Sequence, residues 1–270
     1  LFRLPFIRGI FSFVDSLVLG MKSLNYSASL FMEDGEEEEP GRFEKWLQKK
    51  FGDKAEKVIM DLTMVISIIL AMGIFMVFPT WVSTLMKPLL GNGIWMALFE
   101  GVLRIAIFIA YVGLISLMPD IKRTYMYHGA EHKCINCIEH GMELNVENVM
   151  KSSREHKRCG TSFLLIVMVV SIILHMFIRV DSKALGFGIR ILLLPVVAGI
   201  SYEFIRLAGT SENKFVALLS KPGMALQHMT TREPSPDMVE VAIASVEAVF
   251  DWKRFLNENF GTDYEIAEKE

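Results

Sequence analysis

The chain has 270 residues, 52% of them hydrophobic, a mean hydropathy of +0.37 and a net charge of −3. It carries no extended basic tract and no nucleic-acid module, which excludes nucleic acid as a partner class. The apolar residues are gathered into blocks of about 20, the length that crosses a hydrocarbon core, so the composition points to an integral membrane protein.

Residues 1–32 are apolar but interrupted by Arg3, Pro5, Arg8, Asp15 and Lys22. Such a segment predicts a helix lying in the membrane interface rather than a free-standing span. The chain opens at Leu1 with no initiator Met, so residues upstream are expected to be missing. The acidic run EDGEEEEPG (33–41) predicts a solvated loop, and residues 42–57 a short helix of mixed charge. These make an N-terminal region, 1–57.

Four spans are expected next. The first covers about 60–80 and stops at Pro79; the second covers about 94–118 and stops at Pro119. With a linker at 81–93 they form a first hairpin within 58–118. Glu100 and Arg104, four apart in the second span, predict an intrahelical ion pair, with an ion path as the alternative. The third span covers 161–179 and the fourth 187–208, where Pro195 predicts a kink; with the linker 180–186 they form a second hairpin within 161–208.

Between the hairpins, residues 119–160 carry Lys122, Arg123, Lys133, Lys151, Arg154, Lys157 and Arg158, whereas linker 81–93 carries only Lys87. The positive-inside rule then puts 119–160 and both termini in the cytoplasm. Residues 209–270 are expected to form cytoplasmic helices. One covers 211–232, broken at Pro222–Gly223; an amphipathic one covers 235–256, with a Ser cap and Pro at its first position; a charged tail (257–270) frays. The fold class is an all-α membrane protein: four transmembrane helices in two hairpins, an N-terminal interfacial helix and cytoplasmic helices.

The chemistry is concentrated in YHGAEHKCINCIEHG (127–141). On a helix, residues four apart share a face, so His128 and His132 point together with Glu131 beside them. This H-x-x-E-H spacing can hold Zn²⁺, or another divalent metal, with Glu131 as catalytic general base. Cys134 and Cys137 follow as C-x-x-C, then His140, and His156 and Cys159 come as H-x-x-C just before the third span. The three cysteines of the chain all lie here, which suits metal ligation better than a disulfide framework. The candidate metal ligands are therefore His128, His132, Cys137, His156, Cys159 and, near the cytoplasmic end of the fourth span, Glu203, for which Arg206 is the cheaper partner. A closed set around Cys137, His156 and Cys159 would be structural; two His and a carboxylate with a free position would be catalytic.

The stretches YHGAEHKCINC, ENVMKSSREHKRCGTSFLLIV, LLLPVVAGISYEFIRLAG and QHMTTREP resemble, in this order, the YqhQ-like family of bacterial multi-pass membrane proteins, a domain of unknown function described as predicted metal-dependent enzymes. The resemblance runs from residue 1 to about residue 250. It implies a bacterial cytoplasmic (inner) membrane location and a metal-related role for His128, Glu131, His132, Cys137, His156 and Cys159; it names no substrate. Two readings stand side by side. One is a metal-dependent hydrolase acting on a membrane-associated substrate. The other is a non-enzymatic scaffold, assembly factor or transporter stapled by a structural metal. The expected partners are the lipid bilayer and, through the amphipathic C-terminal helix, a second copy or other membrane proteins.

Overall fold

The structure, a computed structural model, describes residues 4–34, 41–52, 55–91, 93–177, 183–211 and 213–266. The regular elements among those residues are all helices, with no strand among them. They divide into two compact units, Leu1–Ile107 with Ile172–Gly199, and Phe108–Ser171 with Ile200–Glu270. Four stretches are long and apolar enough to cross a membrane: Val58–Leu90, Ile94–Ile115, Gly160–Phe177 and Ile191–Thr210.

In the first unit, α1 (Ile7–Asp34) leaves Phe11, Val14, Leu17, Leu19 and Leu24 exposed. The acidic loop expected at 33–41 falls largely outside the described residues. Helix α2 (Arg42–Phe51) is followed by α3 (Ala55–Met72), a π turn (Gly73–Val77) and α4 (Phe78–Leu90). The first span therefore does not stop at Pro79, and the linker expected at 81–93 is mostly helix. The reason is local. The wider π turn precedes the proline, and hydroxyls occupy the carbonyls around it, Thr80 Oγ1 donating to Met76 O (2.8 Å) and Ser83 Oγ to Pro79 O (2.8 Å). The helix ends at Gly91, whose φ of +65° a side chain would strain. Helix α5 (Ile94–Ile115) carries the expected Glu100–Arg104 ion pair, and Glu100 Oε1 lies 2.9 Å from Thr80 Oγ1, competing with Met76 O for its one hydroxyl proton.

The second unit holds α6 (Pro119–Glu139), α7 (Val146–Lys151), the start of α8 (Gly160–Phe177), the end of α9 (Lys183–Thr210), α10 (Lys214–Thr230), α11 (Pro236–Val249) and α12 (Trp252–Phe260). Its core joins Ala130, Cys134, Cys137 and Ile138 of α6 to Leu144, Val149, Val239, Ala242, Trp252 and Leu256. Helix α10 runs unbroken through Pro222, which sits on its exposed side, so the break expected at Pro222–Gly223 does not occur. The helix expected over 235–256 is two. Phe250 is extended and the Asp251 side chain accepts from Arg254 N (3.0 Å), capping a new helix. The tail does not fray at 257 either: Asn257 Oδ1 accepts from Thr262 Oγ1 and Tyr264 N, and the Tyr264 ring packs 5.2 Å from that of Trp252.

Candidate metal centre

Helix α6 presents His128 and His132 one turn apart, their rings edge to face with centroids 4.4 Å apart. Each ring is held from behind by a main-chain carbonyl. His128 Nδ1 lies 2.9 Å from Thr230 O and His132 Nδ1 lies 2.7 Å from Arg154 O. A carbonyl can only accept, so both Nδ1 atoms carry the proton, and in the neutral ring each Nε2 offers its lone pair as a ligand.

Cys159 stands immediately before α8. Its Sγ lies 3.4 Å from His128 Nε2 and 3.0 Å from Thr161 Oγ1. Burial alone would push this thiol up, but hydrogen bonds from His128, His132 and Thr161 outweigh it and bring the pKa down to about 5. The helix N-terminus favours the same thiolate. For His128, burial works against the imidazolium, yet the bonds to Cys159 and Thr230 and the nearby Glu131 charge leave its pKa raised.

The ligating atoms of His128, His132 and Cys159 all lie within 4.8 Å of one another. Two tetrahedral zinc ligands, one nitrogen and one sulfur, stand about 3.5 Å apart at normal bond lengths, close to the 3.4 Å between Cys159 Sγ and His128 Nε2. The borderline-soft donor set of two imidazoles and a thiolate fits zinc or a similar transition ion.

The sequence folds this way because α6 holds the segment before α8 by its carbonyls. Lys133 Nζ donates to Met150 O (2.8 Å) and Ser152 O (2.9 Å), and Asn136 Nδ2 to Ser153 O (2.7 Å) and Glu155 O (2.9 Å). Lys133 also pairs with Glu233 at 2.7 Å. From the other side the fully buried Gln227 brackets His156, accepting from its N–H (2.9 Å) and donating to its carbonyl (2.7 Å), while reaching Ser162 Oγ (2.8 Å). Gly129 lets α6 approach the strand-like segment after α10, where Arg232 N donates to Tyr125 O (2.8 Å).

Of the residues singled out in the sequence, the structure brings together His128, His132 and Cys159. Glu131 is exposed beside them on α6. Cys137 lies in the apolar core with Cys134, its Sγ facing Glu143 O (3.3 Å), outside the group of converging donors. Burial raises the pKa of both thiols, that of Cys134 to about 12. The His156 ring is 5.9 Å from that of His132, but its Nε2 pairs with Glu139 (3.1 Å), which also binds Arg158. Glu203 is half-buried on α9 and outside the group. Sequence reasoning missed the supporting residues Arg154, Thr161, Gln227 and Thr230; the one signal for the last two was the distinctive QHMTTREP.

No solved structure matches the chain. The uncharacterized protein YqhQ of Bacillus subtilis (strain 168) is 34% identical over 244 residues, covering 90% of this chain and 76% of that protein. Residues 4–252 match the model of a family described as a protein of unknown function, DUF1385, and the chain belongs to that family.

Proposed function

We propose that the protein is a metal-dependent hydrolase of the bacterial cytoplasmic membrane, with a zinc site at the cytoplasmic face acting on a membrane-associated substrate. The observation that carries this reading is the convergence of two Nδ1-anchored imidazoles and a low-pKa thiolate. Among the described residues no fourth His, Cys, Asp or Glu joins the group. Three protein ligands with a position to spare is the pattern of catalytic rather than structural zinc.

His128, His132 and Cys159 would hold the ion. When bound, a divalent cation supplies Lewis acidity toward water and toward a carbonyl or phosphoryl oxygen. Glu131, solvent-exposed and beside His128, takes the proton from an attacking water and returns it to the leaving group. Thr161 holds the Cys159 sulfur, and the carbonyls of Thr230 and Arg154 hold the ring tautomers. The scaffold reading drew its support from three thiols near one site. With Cys134 and Cys137 in the core, that support is reduced to Cys159.

The test is metal analysis of detergent-purified protein. Wild type is expected to hold a transition ion stoichiometrically, His132→Ala and Cys159→Ala to lose it, and Cys137→Ala and Glu131→Gln to keep it. Glu131→Gln should also fail to hydrolyse membrane extracts that wild type alters, as read by mass spectrometry. A metal-free wild type, or retention by His132→Ala, overturns the metal site. Full hydrolysis by Glu131→Gln overturns the assigned base.

A further inference from the structure

Helix α10 has two faces. Val216, Ser220, Gly223, Leu226, Gln227 and Thr230 are buried and cluster along one side. In its first two turns Phe215, Leu218 and Leu219 are 64%, 56% and 46% exposed, flanked by the exposed Lys214 and Lys221. A Phe and two Leu at i, i+3 and i+4 form a contiguous apolar surface, not scattered single residues.

What covers that surface follows from where α10 lies. It begins at Lys214, just after the apolar stretch Ile191–Thr210 ends. A Cβ on Gly223 would lie 2.9 Å from Ser162 Cβ, in the first turn of the apolar stretch Gly160–Phe177. A Cβ on Gly113, near the end of Ile94–Ile115, would lie 3.1 Å from Met229 Cε. Helix α10 is thus packed against the ends of two of these stretches and follows directly on a third, at the level where apolar chain gives way to polar chain.

We infer that α10 is a membrane-surface helix, its Phe215–Leu218–Leu219 face seated in the bilayer interface and Lys214 and Lys221 on anionic headgroups. Long lysine stems reach the headgroups while apolar neighbours insert, the usual arrangement of interfacial helices. The C-terminal half of the helix supplies Gln227 and the Thr230 carbonyl that holds His128. The Thr230 carbonyl stands eleven residues, about 16 Å, along the same helix from Leu219. This deepens the proposed function: the scissile bond belongs to a membrane-borne molecule and is presented at headgroup level.

The inference rests on the reading that the apolar helices cross a bilayer, so the experiment separates the two. Benzoylphenylalanine is placed singly at Leu218, at Val102 in the middle of α5 and at Val249 at the end of α11. Each protein is reconstituted in vesicles of phosphatidylcholine and phosphatidylglycerol and irradiated. Lipid adducts at 218 and 102 but not at 249 are expected. Adducts at 102 without adducts at 218 overturn the α10 proposal alone; none at 102 overturns the bilayer reading and the proposal with it. Adducts at 249 equal to those at 218 also overturn it, because labelling then fails to distinguish α10 from a helix outside the apolar stretches.

Discussion

Gly129→Ala is a one-methyl change that should damage the site without touching a ligand. A Cβ at this position would lie 2.1 Å from the Arg232 carbonyl oxygen. That oxygen is main chain, so no rotamer relieves the clash. Reaching even a 3.0 Å approach requires α6 and the segment after α10 to part by about 0.9 Å. The same movement would stretch the His128 Nδ1–Thr230 O bond from 2.9 Å to about 3.8 Å, past the range of a hydrogen bond. Overpacking of this kind costs about 1–3 kcal/mol, against a gain of up to about 1 kcal/mol in helix propensity. The expected outcome is a lower unfolding temperature in detergent and a weakened metal affinity. Gly20→Ala serves as the control, since nothing lies within 4 Å of its Cβ position, and it should be neutral or stabilising. Gly129→Ala with wild-type stability and metal affinity would refute the close packing argued here.

Three further outcomes are expected. Gln227→Leu removes the partners of the His156 amide and carbonyl and of Ser162; denaturant unfolding should show a loss of about 1–3 kcal/mol for each group left buried and unsatisfied. In chelator-treated protein, the depressed Cys159 pKa makes stability fall as pH drops through about 5 and rise above it. The raised His128 pKa works oppositely, removing stability as pH climbs past its own value, so thermal unfolding should show a rise from about pH 5 that flattens above about 6.5, and Cys159→Ser should abolish the rise. Finally, iodoacetamide at neutral pH should alkylate Cys159 of metal-stripped protein ahead of Cys134 and Cys137, whose burial raises their pKa, and zinc should protect it; mass spectrometry of peptides reads both.

The apolar blocks and the H-x-x-E-H spacing were legible because each is a periodic side-chain signal within one helix. Cys137 shows where spacing misleads. C-x-x-C suggests a ligand pair, yet at 3.6 residues per turn Cys137 lies about 180° around α6 from His128, and the structure buries it in the core. Pro79 and Pro222 suggested helix ends, but a π turn with hydroxyl-capped carbonyls and an exposed helix face accommodate them. The anchors at Thr230 and Arg154 were invisible for a different reason. They act through main-chain carbonyls, which every residue has, so their identity carries no signature of the role.

The bond between His128 and the Thr230 carbonyl joins residues 102 positions apart, and it orders events during synthesis. His128, His132 and Cys159 all leave the ribosome before the last two apolar helices are complete. The carbonyl that orients His128 emerges only after them. A nascent chain thus carries the three converging side chains but not the finished site, and capture of the proposed ion would come late in biogenesis. Loading of the site would then report that the chain had been made through α10 and folded back onto α6.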